Sequence, residues 1–144
     1  MLLYGPEIVT WAEQRIIGYG FDNPYGIAII KSNKLVGAVV FDNHRPAAKS
    51  VCVSIVLEDK TALTRKILAD LFGFAFIQLG CMRMNAMIDE SNQPSLNLIR
   101  RLGFIQEGTL RKASPTGGNV AIFGMLQDEC RWLKPDTLPN TSKA

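Results

Sequence analysis

The sequence is poor in the residues from which metal sites and disulfide frameworks are built. It has one histidine, His44, and three cysteines among its 144 residues. Cys52, Cys81 and Cys130 lie far apart and form no CxxC pair, so neither a zinc site nor a disulfide scaffold is indicated. Unpaired cysteines are typical of a reducing compartment, and we therefore expect a cytoplasmic protein with free thiols and no bound metal.

Long apolar runs and a strong excess of one charge are also lacking. The longest apolar region, residues 67–82, is interrupted by Asp70 and Gln78, so it does not predict a membrane span, and the first residues are too short a run for a signal peptide. The net charge is +3, and no basic run marks one face, which argues against a nucleic-acid partner. With 47% hydrophobic and 20% charged residues, the composition is that of an ordinary globular domain.

The periodicity of the apolar residues predicts one α+β domain. Helical spacing indicates helices over about residues 6–19, 61–79 and 92–102, and residues 43–46 read as a loop. Strands are predicted over residues 25–31, 35–42, 50–57, 82–89, 105–113 and 120–126. Gly37 predicts a bulge or a close approach in the second of these strands. We expect a single domain over residues 1–133 and a loose tail over residues 134–144.

The clearest local signal is the stretch from Asn92 to Phe104. Asn92 is a good N-cap, and Pro94 falls in the first helical turn, where its missing N–H costs nothing. Gly103 can adopt the left-handed conformation that ends a helix. The stretch therefore predicts a short helix with both ends encoded, which by itself indicates no function.

The same stretch carries a family resemblance. It reads Asn-x-x-Ser-x-x-Leu-x-x-x-Leu-Gly-Phe, and it is followed by Glu-Gly at residues 107–108 and Arg111. Together with Phe-Ile-Gln-Leu-Gly at residues 76–80 and Glu-Cys-Arg-Trp-Leu at residues 129–133, it resembles the GNAT superfamily of N-acetyltransferases over about residues 50–133. Within that superfamily the chain is most similar to the ribosomal-protein-alanine acetyltransferase-like branch.

The resemblance implies a mixed, strongly twisted sheet flanked by helices, with two splayed parallel strands that form a cofactor cleft. These would be strands 50–57 and 82–89. Because few residues precede Pro6, the family's usual first strand is expected to be missing and the N-terminus to be shortened.

Acetyl-CoA is the acetyl donor that the resemblance implies. Its pyrophosphate needs unpaired backbone N–H groups and positive charge, and the segment after strand 50–57 supplies a helix N-terminus with both. The family's glycine positions fall on Lys60 and Ala62, of which only Ala62 fits. The segment can equally be a plain capped helix, Asn92 a cap, and Ser95 a packing residue. The candidate cofactor-binding residues are Val56, Leu57, Lys60, Thr61, Ala62, Leu63, Thr64, Arg65, Asn92 and Ser95.

Attack of an amine on a thioester depends mainly on positioning and on a polarised carbonyl. By resemblance, a backbone N–H near Val56, freed by a bulge, would bind that carbonyl, and Ile99 replaces the tyrosine that protonates the leaving thiolate in many family members. His44 is the candidate base and Ser54 a candidate for the acceptor groove, although each can equally be solvated or bound to backbone. Glu58 and Glu107 are reserve candidates.

The sequence thus predicts an N-acetyltransferase that moves an acetyl group from acetyl-CoA to an amine in a ternary complex. A protein N-terminus or a lysine is favoured over a small amine on the branch resemblance alone. The alternative is a binding or assembly module with the same fold and no turnover. The sequence leaves the oligomeric state open, a dimer included.

Overall fold

A mixed sheet runs through the computed structural model, which describes residues 2–16 and 20–134. Within these ranges the sheet has seven strands in the order β1-β2-β3-β4-β5-β7-β6. All neighbours are antiparallel except β4 and β5, which are parallel. The strands are β1 Leu2–Tyr4, β2 Tyr25–Lys31, β3 Lys34–Arg45, β4 Ser50–Leu57, β5 Arg83–Asp89, β6 Ile105–Leu110 and β7 Val120–Leu126. The predicted α+β class and mixed sheet are confirmed.

Helices cover both sides of the sheet because its strands are apolar on both. Helix α1, Pro6–Glu13, packs its Ile8 and Ala12 against Ala38 and Val40 of β3. Helices α2, Arg65–Gly73, and α3, Gln93–Leu102, share the larger core with the other side of the sheet. We call the first side the α1 side. No helix in the described ranges is long and apolar enough to cross a membrane.

Helix α3 has the ends that its sequence predicts. The Asn92 side chain accepts a hydrogen bond from the Ser95 N–H at 3.3 Å, and Gly103 closes the helix with φ 108°. The last two carbonyls are satisfied by distant side chains, since the Trp132 Nε1–H donates to the Leu102 oxygen at 2.8 Å and Arg131 donates to that of Arg101. The segment after β7 therefore completes α3.

Helix α2 differs from its prediction at both ends. It begins at Arg65 rather than at Thr61, because Thr64 is the N-cap and accepts from the Ile67 N–H at 3.2 Å. Beyond Gly73 the helix continues as one π turn, Phe74–Gln78. The residues of the predicted apolar stripe are buried or packed against the core, and Phe74, which the stripe did not include, is buried as well. The Phe74 ring centre lies 5.0 Å from that of Phe41.

Three further predictions are corrected by strand pairing. The expected loss of a strand before Pro6 is wrong, since Leu2–Tyr4 pairs with β2. Strand β3 continues through residues 43–45, which were predicted as loop, and β6 ends at Leu110 rather than at residue 113. Helix α1 ends at Glu13 and residues 14–16 form a turn, so the predicted helix to residue 19 is too long. Residues 17–19 and most of the predicted tail lie outside the described residues.

Gly37 lies where two strands approach closely, as predicted. The β2–β3 pairing skips a residue beside it, from Ile29↔Gly37 to Ile30↔Leu35. A Cβ at Gly37 would lie 2.7 Å from Leu57 Cδ2 and 3.0 Å from the Val56 oxygen. A glycine is therefore required next to the end of β4.

We expect Gly37→Ala to lower the free energy of unfolding by about 1–3 kcal/mol, because Leu57 and the β4 backbone must shift to admit the methyl group. Urea denaturation measures this loss. Gly108→Ala is the matched control, since a Cβ there would meet no heavy atom within 4 Å. Equal stability of the two variants would contradict the close approach.

Candidate active site

Strands β4 and β5 part from each other soon after they begin. Their parallel pairing consists of Ser50↔Arg83, Val51↔Met84 and Cys52↔Asn85. Beyond these pairs β4 stays with β3 as far as Leu57, and β5 stays with β7 as far as Asp89. A wedge-shaped cleft therefore lies between the two strands, with its closed end at Cys52 and Asn85 and its open end at Leu57 and Asp89.

The edge of β4 that faces this cleft carries backbone groups that β3 does not satisfy. The Glu58 N–H donates to the Val36 oxygen at 2.8 Å, which marks a hydrogen-bonded pair of the β3–β4 ladder. Because bonded pairs alternate along an antiparallel ladder, Val56 faces β3, whereas the N–H and C=O groups of Ile55 and Leu57 face the cleft. The predicted bulge beside Val56 is wrong, since the ladder is regular there and shifts only between Asp42 and Arg45.

The segment between β4 and α2 is held by its own polar side chains. Asp59 accepts from the Thr61 N–H at 2.9 Å and from its hydroxyl at 2.6 Å. Lys31 of β2 donates to Asp59 at 3.1 Å and to the Thr61 hydroxyl. The Thr61 hydroxyl and Lys31 lower the pKa of Asp59, so this carboxylate stays charged. Thr61 therefore ties the segment to β2 instead of presenting its hydroxyl to the cleft.

The N-terminus of α2 follows this segment and presents backbone donors. The first intrahelical bond is from the Leu68 N–H to the Thr64 oxygen at 2.9 Å, and the Thr64 side chain caps the Ile67 N–H. The amides of Arg65 and Lys66 precede these bonds, so the helix itself does not satisfy them. They are the groups at this helix end that can bind an anion.

Side chains near this helix end divide into anchors and exposed cations. Ala62 is buried and Leu63 packs against the larger core, so both anchor the segment. Lys60 and Arg65 are exposed, and the guanidinium carbon of Arg65 lies 5.7 Å from the centre of the Trp132 ring. The two exposed cations thus belong to the segment that carries the free amides of Arg65 and Lys66.

At the open end of the cleft, Asp89 joins β5 to the β6–β7 loop. One of its oxygens accepts from the Ser91 N–H at 2.8 Å and the Ser91 hydroxyl at 2.6 Å, and the other accepts from the Ser114 hydroxyl. These bonds, that of Ser114 first, lower the pKa of Asp89 to about 2. The loop around Ser114 is thereby fastened beside the cleft.

A polar row crosses the closed end of the cleft on the α1 side. Asp42 of β3 pairs with Cys52, and Cys52 pairs with Asn85 of β5. The Nδ2 atoms of Asn43 and Asn85 lie 3.9 Å and 4.0 Å from the Cys52 Sγ. Burial raises the pKa of Cys52, and the charge of Asp42 raises it further, so the thiol stays protonated.

Asp42 and Asn85 were missed by the sequence analysis. Asp42 is 8% exposed and accepts from the Asp22 N–H at 3.1 Å, and burial raises its pKa. Asn85 accepts from Arg83 Nε at 2.7 Å, and Arg83 pairs with Glu107. The signal in the sequence was a carboxylate ending an apolar strand, but only strand pairing brings it to the cleft.

The structure does not bring the two predicted catalytic residues together. Ser54 lies on the α1 side opposite Val40, while His44 lies past the register shift and not in a loop, on the order of 13 Å farther along β3. Its Nε2 is buried and makes no hydrogen bond within the described part of the chain. The reserve candidate Glu58 pairs with Arg15 at 3.6 Å.

The family profile of the acetyltransferase (GNAT) domain matches residues 6–105, which is more than half of the chain. The chain belongs to the GNAT acetyltransferase family. A relative of this GNAT chain is the SPbeta prophage-derived uncharacterized N-acetyltransferase YokL of Bacillus subtilis, which is 29% identical over 109 residues. The match covers 72% of this chain, and the chain spans 62% of the length of that relative.

Solved GNAT structures with the same fold include the spermidine N-acetyltransferase SpeG of Vibrio cholerae. One mutant form superposes with a TM-score of 0.73 at 17% identity and covers 89% of this chain and 95% of its own. A structure of the Vibrio cholerae enzyme described as dodecameric gives 0.74 at 14% identity, covering 89% of this chain and 94% of that one. At these identities the likeness shows the fold.

The residues of this GNAT chain fit acetyl-CoA, the donor that the family generally uses. The unpaired edge of β4 at Ile55 and Leu57 matches the amides of a pantetheine arm, because an extended amide chain can pair with a free strand edge. The amides of Arg65 and Lys66, with the charge of Lys60, match a pyrophosphate. Family membership and this fit support the predicted acyl-CoA-dependent acetyltransferase.

The bond to Ser114 predicts how Asp89 titrates. A lowered pKa stabilises the fold above the ordinary value of 3.8, and this contribution is lost as the pH falls towards about 2. A carbon-13 NMR titration of the folded chain should therefore place the Asp89 midpoint near 2. Ser114→Ala should move the midpoint up towards 3.8, whereas Thr116→Ala, which removes a bond of 3.5 Å, should move it little. Equal shifts in both variants would contradict the assignment to Ser114.

Proposed function

We propose that this chain is an acetyl-CoA-dependent N-acetyltransferase that moves the acetyl group directly to an amine in a ternary complex. The observation that carries the proposal is the separation of β4 and β5 after three residue pairs, which leaves a cleft lined by unsatisfied backbone groups. We also retain a single domain over residues 1–133 with a loose tail beyond it.

The donor would lie along β4, with its pantetheine amides on Ile55 and Leu57 and its pyrophosphate at the amides of Arg65 and Lys66. Lys60 and Arg65 add positive charge there. Of the other predicted contacts, Val56 faces β3, and Thr61, Ala62, Leu63 and Thr64 fold the segment. Asn92 and Ser95 remain candidates at the N-terminus of α3, on the rim that follows β5.

Catalysis would rest on position and on backbone dipoles. Acetyl-CoA supplies an acyl group that is already activated by a good leaving group, so a cleft-facing N–H of β4 that polarises the carbonyl contributes much of the rate. Ile99 is buried in the larger core, which agrees with a thiolate that leaves without a side-chain acid.

The acceptor is an amine, for which there are two candidates. The resemblance to the ribosomal-protein-alanine acetyltransferase-like branch favours a protein N-terminus or a lysine. The structural neighbours are described as spermidine acetyltransferases, which makes a small polyamine the second candidate. A non-catalytic binding module is the alternative to both.

The first test concerns donor binding. Acetyl-CoA at about 100 times its dissociation constant should stabilise the fold by roughly 2.7 kcal/mol, which is a rise in Tm on the order of 5–10 °C. Coenzyme A should give most of the shift and pantetheine little, because the phosphates make the proposed contacts. Thermal denaturation of wild type, Lys60→Glu and the control Arg111→Glu measures it.

We expect Lys60→Glu to lose most of this shift and Arg111→Glu to keep it. Lys60 suits the test better than Arg65, because Arg65 contacts Trp132 and its loss would also weaken the fold. An unchanged wild-type Tm in millimolar acetyl-CoA would refute both the donor site and the acetyltransferase activity. An unchanged shift in Lys60→Glu would remove only Lys60.

The second test concerns turnover and acceptor class. Purified protein with acetyl-CoA should release free coenzyme A, detected by a thiol reagent, when the right amine is present. Peptide N-termini, lysine peptides and spermidine form the panel, and N-terminally blocked peptides are the control. Release with spermidine alone would exclude a protein acceptor. Donor binding without release on any amine would support the binding module.

A further inference from the structure

We propose that Asp42 accepts the proton of the incoming amine and that its carboxylate is the binding point for a primary ammonium group. This inference rests on the proposed acetyltransferase function. It assigns a catalytic residue that no sequence motif marked, and it defines the acceptor by its charge.

The position of Asp42 follows from the pairing of three adjacent strands. Asp42, Cys52 and Asn85 occupy one row across β3, β4 and β5, so their side chains leave the sheet on the same side. The Asn85 amide, 4.0 Å from the Cys52 Sγ, agrees with this arrangement. The row is the last one before β4 and β5 separate, and it therefore borders the closed end of the cleft.

Asp42 and Cys52 lie on the side of the sheet that faces α1. Val51 and Val53, which alternate with Cys52 along β4, are buried in the core with α2 and α3. Asp42 and Cys52 therefore lie on the α1 side, opposite the helix that would hold the donor phosphates. An amine bound to Asp42 would therefore reach the cleft from the α1 side, opposite the donor phosphates.

A break in strand regularity accompanies this row. The β3–β4 register shifts between Asp42 and Arg45, and Asn43 adopts a left-handed φ of 50°. The shift turns the Asn43 amide to within 3.9 Å of the Cys52 Sγ. The Asn43 N–H also donates to the Asp22 oxygen at 3.0 Å, so the segment before β2 is fastened over Asp42. Bulges that re-aim side chains are common beside active sites.

Asp42 lacks a positive partner among the described residues. Its one hydrogen bond there comes from the Asp22 N–H, and no ion pair involves it. The nearby cation Arg83 is held by Glu107 and Asn85. A carboxylate that is only 8% exposed is costly to leave without a counter-charge. An ammonium group is the ligand that would supply it.

The titration of Asp42 suits this role. Burial is the main cause that raises its pKa, the Asp22 N–H lowers it, and the negative charge of Asp22 raises it. Arg45 on β3, the protonated Cys52 on β4 and Arg83 on β5, which donates to Asn85, are further titratable groups beside the row. A raised pKa brings the carboxyl group closer to the pKa of the ammonium group, which makes the proton transfer to Asp42 less unfavourable.

In the proposed step, one proton passes to Asp42 and the acetyl group passes from sulfur to nitrogen. Asp42 takes one proton from the ammonium nitrogen, and the freed lone pair forms the C–N bond to the acetyl carbon. The C–S bond breaks, and its electron pair stays on sulfur. A second proton leaves the nitrogen and ends on that sulfur, which gives the amide and the free thiol. Asp42 returns its proton to solvent, so each turnover releases one proton.

Asp42→Asn tests the proposal because it keeps the shape and removes the base. We expect kcat/KM for the amine to fall about 100-fold at neutral pH, with a smaller loss at high pH, where free amine is abundant. The Tm shift with acetyl-CoA should stay as in wild type. Asp128→Asn, at an exposed carboxylate, is the control and should keep full activity.

Asp42→Glu is the control that distinguishes loss of the carboxylate from a folding defect in Asp42→Asn. It keeps a carboxylate and should recover part of the activity that Asp42→Asn loses. Turnover by Asp42→Asn within twofold of wild type across the pH range would overturn the role of Asp42 and leave the acetyltransferase intact. A wild-type chain that binds acetyl-CoA but acetylates no amine would overturn both proposals.

Discussion

Three residue pairs between β4 and β5 join the two halves of the sheet, and everything proposed for the cleft depends on where this ladder stops. The joint is reinforced on its closed side. The Met82 N–H donates to the Lys49 oxygen at 2.7 Å, and the Gln127 side chain donates to the Phe76 oxygen at 3.1 Å. On the open side, the facing edges of β4 and β5 make no ladder hydrogen bonds to each other. Such edges must be matched by water or by a ligand, so the geometry that makes the cleft also sets what it binds.

Local signals in the sequence predicted the parts of the fold that local contacts determine. Asn92 and Gly103 end α3 as their residue types require. The alternation along β4 places Ser54 on the side of the sheet that faces away from the larger core. Errors arose where a local pattern permits two outcomes. Thr61 and Thr64 are both good caps, and only the bonds to Asp59 decide that the helix starts after the second one. The π turn at Phe74 also left no mark in the apolar spacing.

The candidate site was less predictable because its groups come from distant parts of the chain. Hydroxyl and amide side chains near helix starts were predicted to contact the donor. Thr64 and Asn92 accept from backbone N–H groups of their own helices, and the Thr61 hydroxyl bonds to Asp59 and Lys31. Backbone amides do not depend on residue type, which is why Lys60 at a glycine position of the family pattern does not argue against a phosphate site. Asp42 shows the converse, since its chemistry comes from burial and neighbours that no spacing in the sequence reveals.

The bonds from Arg131 and Trp132 to the last carbonyls of α3 have a consequence for synthesis on the ribosome. Helix α3 leaves the exit tunnel some thirty residues before these side chains do, and until they emerge the carbonyls of Arg101 and Leu102 lack these two donors. Gln127, which bridges to the end of the long helix after β4, also belongs to this late segment. All seven strands of the described sheet therefore leave the ribosome before Gln127, Arg131 and Trp132 can add these bonds.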